Sequence, residues 1–150
     1  MTMPFQSLKL HFVFIPLMCP GHLIPMVDMG RLLAQHSVTV TIVTTPLNAV
    51  RFKSIIDRDI TSGIQIRLLQ LWFPCIAAGF PEDCENVYAL PSRLLSNDFM
   101  DAVGMLQQPP EQSLKERQPI PSCVISDRHL PWTFNVAQKF KIPRLVFLWN

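Results

Sequence analysis

Three strand-like runs separated by helical patterns restrict the folds open to this chain more than any other feature. Leu10–Ile15 is rich in Phe, Val and Ile and stops at Pro16, which is the length and composition of a buried strand. Val38–Thr44 is dense in β-branched residues, and Ile64–Leu71 makes a third run. After the first run and a short turn containing Pro20-Gly21, Leu23, Met26, Val27 and Gly30 recur at i, i+3, i+4 and i+7, with Asp28, Arg31 and Gln35 gathered opposite. That spacing predicts a helix to about Gln35 that packs one face onto a sheet. Pro46 opens a second helix through about Ile60, with Val50, Phe52, Ile55, Ile56 and Ile60 as its apolar members, and Ser62-Gly63 ends it. Strand, helix, strand, helix, strand at this spacing means right-handed crossovers and a parallel α/β sheet.

The rhythm then breaks. Residues 73–92 carry Pro74, Gly79, Pro81 and Pro91 with scattered acids and read as a long surface loop, a feature that is usually functional inside a small domain. Helical spacing resumes over 93–107 (Leu94, Leu95, Phe99, Val103, Leu106) and, after Pro109-Pro110, over 111–117. Ser122–Ser126 is a short buried strand with Asp127 at its end. Pro131-Trp132 starts a further helix, and Arg144–Leu148 is a fifth strand.

Composition narrows the function classes. With 49% hydrophobic and 16% charged residues, 150 residues make one core-rich globular domain. A net charge of +2 with no Lys/Arg run gives nucleic acid nothing to bind. The four cysteines form no C-x-x-C pair and share no metal spacing with the histidines, so they read as buried thiols of a cytosolic protein. A Cys75–Cys84 disulfide would need a secreted chain. Lys9 and the apolar run after it lack the small-residue cleavage site of a signal peptide, and no stretch reaches the ~20 apolar residues of a membrane span.

The strand order most consistent with this rhythm is 3-2-1-4-5, a doubly wound sheet whose crevice opens between strands 1 and 4. His22 follows strand 1 and Asp127 ends strand 4, so the two residues are expected to face each other across the switch point. An imidazole held by a carboxylate is a general-base arrangement, the carboxylate fixing the tautomer and stabilising the imidazolium. The helix N-terminus opposes a positive charge on His22, whereas Asp127 favours it. The plainer alternatives are a capping or surface histidine and an aspartate that caps the next helix. His11 in a strand and His36 in a turn read as structural. His129 stands close enough to compete for Asp127, local packing being its alternative. Trp72, Phe73, Phe80 and Tyr88 are candidates for an acceptor pocket, core packing being the commoner fate of such residues. No G-x-G-x-x-G or G-x-x-x-x-G-K-[ST] occurs, which weighs against a self-sufficient nucleotide site.

Several segments resemble one family. Pro-Gly-His-Leu-Ile-Pro-Met-Val-Asp (20–28), Val-Thr-Val-Thr-Ile-Val-Thr-Thr-Pro-Leu-Asn-Ala-Val-Arg-Phe (38–52), Phe-Pro-Cys (73–75), Gly-Phe-Pro-Glu-Asp-Cys-Glu-Asn (79–86), Pro-Ser-Cys-Val-Ile-Ser-Asp (121–127) and Leu-Pro-Trp (130–132) are similar, in the same order, to the N-terminal half of plant UDP-glycosyltransferases. The nearest likeness is to the branch that glucosylates flavonoids and other secondary metabolites. It implies a GT-B enzyme of two Rossmann-like domains, the N-terminal one binding the acceptor and the C-terminal one most of the UDP-sugar. The family's catalytic histidine falls on His22 and its supporting aspartate on Asp127. By that resemblance His22 deprotonates an acceptor hydroxyl, which displaces UDP in line with inversion at the anomeric carbon. Gly21, Phe80, Tyr88 and His129 are the implied acceptor contacts. No metal or resident cofactor is implied, the UDP-sugar being a co-substrate.

The departures from the family shape the remaining expectations. Pro20 stands where the family usually has Gln, Ser37 replaces a helix-ending Gly, and Arg128-His129 replaces smaller or apolar residues. Leu148-Trp149-Asn150 no longer follows the pattern. Residues 1–150 are therefore expected to form a partial, truncated acceptor domain without its C-terminal donor domain. It would be cytoplasmic and without stable membrane insertion, a binder of flavonoid, phenolic or terpenoid acceptors, and inactive alone. A non-catalytic small-molecule- or partner-binding domain is the alternative, and a stand-alone nucleotide binder is disfavoured.

Overall fold

The β-branched and aromatic runs become five strands: β1 (His11–Ile15), β2 (Thr39–Thr44), β3 (Ile66–Gln70), β4 (Cys123–Asp127) and β5 (Arg144–Phe147). They are seen in a computed structural model that describes residues 9–73, 75–86, 89–91, 96–104, 113–115 and 119–148. Every neighbouring pair is parallel, in the order β3-β2-β1-β4-β5. The expected doubly wound sheet is therefore present. Crossovers leave β1 in opposite directions, so a crevice opens beyond the ends of β1 and β4.

The strands alternate their side chains between two cores. Phe14, Val40, Ile42, Cys123 and Ile125 pack on one face beneath α1 (Pro20–Ala34), which contributes Leu23, Met26 and Val27. Gly30 lets that helix lie close, because a Cβ there would come within 3.2 Å of Val40 Cγ1. On the other face Val13, Ile15, Val43, Leu69 and Val124 meet the aromatic residues of the long loop and Phe99. Phe99 lies in α4 (Ser96–Gly104) and stacks against Phe73 and Phe80 at 5.4 and 5.7 Å.

Three expectations need correction. The helix predicted from Pro46 to Ile60 is two helices, α2 (Pro46–Val50) and α3 (Lys53–Thr61), broken at Arg51-Phe52. The break lets Phe52 and Ile56 enter the core while Val50, Ile55 and Ile60 stay exposed, so burial of two large side chains overrides a continuous apolar stripe. The first helix begins at Pro20 rather than after a Pro20-Gly21 turn, since proline is favoured in a first turn where its missing N–H costs nothing. Of the regions read as helices over 93–107 and 111–117, residues 93–95, 105–107, 111–112 and 116–117 lie outside the described residues. The helix after β4 is α5 (Thr133–Lys139), which starts two residues later than expected, and Phe134 on it is exposed.

Candidate active site

His22 is positioned by the start of α1. Cys19 caps that helix in extended backbone, and its carbonyl accepts the N–H of both His22 (2.9 Å) and Leu23 (2.8 Å). Asp127 is the last residue of β4 and fully buried. The two meet across the β1/β4 crevice, with Nδ1 of His22 2.5 Å from Oδ2 of Asp127. A carboxylate accepts only, so Nδ1 carries a proton, and in the neutral imidazole Nε2 then holds the lone pair. The His22 side chain keeps 20% of its surface exposed, against none for Asp127. The other carboxylate oxygen, Oδ1, accepts the backbone N–H of His129 at 2.9 Å.

His129 thus engages Asp127 through its backbone rather than its ring. Its imidazole stands edge-on to His22 at 5.9 Å, and its Nε2 accepts from Arg128 Nε. The remaining strand histidine is structural, as expected. His11 is buried, with Nδ1 2.7 Å from the Pro119 carbonyl and Nε2 2.8 Å from Thr41 Oγ1, which also accepts from Arg67 Nε. His36 is exposed in its turn.

The other candidates scatter. Gly21 borders an open depression of 440 Å³ shared with Pro20, Ile24, Pro25 and Asp28 on the outer side of α1. Phe80 is 5% exposed against Phe99 and anchors the loop in the core, whereas Tyr88 lies outside the described residues. A cavity of 490 Å³ opens among Trp72, Phe73, Cys75, Ile76, Ala77, Glu82, Asp83 and Glu85, with Trp72 76% exposed. The four cysteines are free and buried, and burial pushes the Cys75, Cys84 and Cys123 thiols up, away from nucleophilic thiolate. Among the described residues no group of three or more His, Cys, Asp or Glu is placed to hold a metal ion.

Sequence reasoning gave no role to two polar residues near this site, the buried Asn48 and the half-buried Arg144. Asn48 donates to Thr45 Oγ1 and the Glu85 carbonyl and contacts Met18 Sδ, tying the turn before α1 to that before α2 and to the long loop. Arg144 reaches the end of β4 from β5. The only sequence signal for either was a polar residue in an apolar setting.

No protein-family model matches the chain. It is 49% identical over 142 residues to UDP-glycosyltransferase 73C12 of Barbarea vulgaris, covering 95% of this chain and 29% of that relative. UGT73P12 of Glycyrrhiza uralensis, complexed with glycyrrhetinic acid 3-O-monoglucuronide, superposes with a TM-score of 0.80 at 34% identity, over 93% of this chain and 28% of that one. UGT89C1 of Arabidopsis thaliana superposes with a TM-score of 0.80 at 28% identity in its complex with UDP-L-rhamnose, over 95% of this chain and 36% of that one. Its complex with quercetin gives 0.77 at 29% identity, over 93% and 35%. The α/β sheet described above is therefore shared with these enzymes, and the chain spans about 29% of the length of the curated relative it matches.

Proposed function

We propose that this relative of the plant UDP-glycosyltransferases, alike over 95% of its length, supplies the acceptor side and the catalytic base for transfer of a sugar from a UDP-sugar to a hydroxyl of a small plant metabolite. The observation that carries the reading is the His22–Asp127 pair, 2.5 Å apart at the switch point of the sheet. With Nδ1–H held by Asp127, Nε2 of His22 takes the proton of an acceptor hydroxyl as its oxygen attacks the anomeric carbon. UDP leaves from the opposite side, the configuration inverts, and Asp127 stabilises the imidazolium until the proton is passed on. His129 flanks the pair and is assigned to acceptor contact, as is Gly21, which precedes His22 in α1. We assign donor binding to protein beyond these residues, the chain matching 29% of the relative's length.

Flavonoid or phenolic acceptors are the specific assignment, supported by the quercetin complex of a structural relative, and glucose is assigned as the sugar. Four free, buried thiols fit a reducing, cytoplasmic setting. Among the described residues no helix is long and apolar enough to cross a membrane. The test is transfer from UDP-glucose to quercetin and a phenolic panel, read by mass spectrometry. Where the wild type turns over, His22→Ala is expected to lower kcat/KM by about 10²–10⁴-fold. The partial coverage of the relatives favours one further reading, a domain that binds acceptors without turning them over alone. Quercetin binding with no product, unaffected by His22→Ala, would select it.

A further inference from the structure

We propose that Arg144 is a positioning residue, holding the turn after β4 so that the Asp127 carboxylate meets His22; this rests on reading that pair as the catalytic base. Alternation along β4 sends Val124 and Ser126 to the α5 side of the sheet and Ile125 to the α1 side, where Asp127 meets His22. Arg144 pairs in register with Val124 and so works from the face opposite the Asp127 side chain. Its guanidinium reaches past the strand end and grips backbone. Nη2 donates to the carbonyls of Asp127 (3.3 Å) and Leu130 (3.2 Å), the two ends of the turn closed by Leu130 N–H to Asp127 O. The N–H in the middle of that turn, from His129, is the one that holds Asp127 Oδ1. A continuous chain of contacts therefore runs from Arg144 through the turn to the carboxylate, and from Oδ2 to the imidazole.

The proton account around Arg144 closes. Thr133 O–H donates to the Leu130 carbonyl (2.6 Å), Ser126 O–H donates to Thr133 Oγ1 (2.7 Å), and Arg144 Nε–H is shared between the two hydroxyl oxygens at 2.8 Å each. Burial pulls the guanidinium below its ordinary value and the charge of Asp127 pushes it back up. A desolvated cation is costly, and an apolar residue of similar size would often stabilise a fold as well. What the apolar residue lacks is a planar fork that holds the two hydroxyls through Nε and the two carbonyls through Nη2 at once, and lysine lacks it too.

The test is the imidazole N–H proton spectrum of the whole chain without donor or acceptor. The wild type is expected to show a downfield Nδ1–H signal that disappears in His22→Ala. His11, whose Nδ1 is buried against the Pro119 carbonyl, supplies a second imidazole signal as the internal control. Arg144→Met is expected to lose the His22 signal and keep that of His11, whereas general loosening of the fold would remove both. Should Arg144→Met not fold, Arg144→Lys, which keeps the charge without the fork, decides by the same criterion. An unchanged His22 signal in the deciding variant, loss of both signals together, or no His22 signal in the wild type overturns the proposal. A wild type that shows the signal, beside sugar transfer that persists unchanged in His22→Ala, refutes the general-base reading and leaves the role of Arg144 standing.

Discussion

Asp127 does its work by accepting on both oxygens, and an amide in its place reverses one of those bonds. In Asp127→Asn the Nδ2 group can donate to His22 Nδ1, which puts the proton on Nε2 and leaves the proposed base without the lone pair it would need. Wherever transfer is measurable, that variant is expected to lose about 10²-fold or more in kcat/KM with little change in KM, since the acceptor surface is untouched. A variant with wild-type turnover would show that the carboxylate is not orienting the base. Ser37 is the second residue whose local state sets an outcome. It follows α1 at φ 65°, a left-handed conformation that suits glycine. Ser37→Gly is therefore expected to stabilise the chain by about 0.5–1 kcal/mol in a denaturant melt, and a fall in stability would contradict the strain. Both positions were legible in the sequence, but for different reasons. Ser37 stood where a helix-ending glycine was expected, and His22 and Asp127 stood at the ends of the two strands that the crossover pattern makes neighbours. Asn48 and Arg144 were not legible, because their partners lie 37 and 17 residues away and depend on which loops meet in space.

At the scale of elements, α1 and α3 are joined by one ion pair, Arg31 Nε and Nη2 to the two oxygens of Asp59 at 2.5 and 3.1 Å. The bonds to Arg31 hold the Asp59 carboxyl below its usual range, against the opposing effect of burial. A depressed folded value means that the pair's contribution is fully present above the unfolded value of about 4 and is lost as pH falls through the lower folded one. Asp59→Asn is thus expected to cost about 1–2 kcal/mol near neutrality, with the gap to wild type closing on acidification below pH ~4. A gap independent of pH would assign the loss to packing instead. The pair also shows where periodicity stops being informative. Arg31 was placed rightly on the polar side of α1, but that side faces another helix rather than water alone. The α2/α3 break was invisible for a related reason. The apolar spacing of Val50, Phe52, Ile55, Ile56 and Ile60 fits one helix, and only the depth of the pocket that receives Phe52 and Ile56 decides against it.

For the whole molecule the strand order was readable because right-handed crossovers leave few ways to lay five parallel strands with a reversal in the middle. What the order leaves at the rim is a physical liability. In β5 Leu145 is 54% and Val146 44% exposed, and Leu148 just after the strand is exposed too. Natural edge strands are commonly blunted by lysine, proline or a bulge. The one charge in β5 is Arg144, and its guanidinium is turned inward on the β4 turn rather than guarding the edge. Among the described residues no further strand lies beyond β5, and an edge strand of this composition is a template for a second copy, the exposed Leu145 and Val146 adding to the attraction. The isolated chain is therefore expected to self-associate with rising concentration in analytical ultracentrifugation. Leu145→Lys should shift it toward monomer, because a charge on a half-exposed edge position must be desolvated in any strand-to-strand contact. The thermal midpoint should move little, as the substituted side chain is more than half in solvent already. A wild type that stays monomeric to high concentration would show that the rim is protected despite its composition. Association unaltered by Leu145→Lys would place the contact on another surface, the exposed Trp72 and Ile76 being the next to substitute.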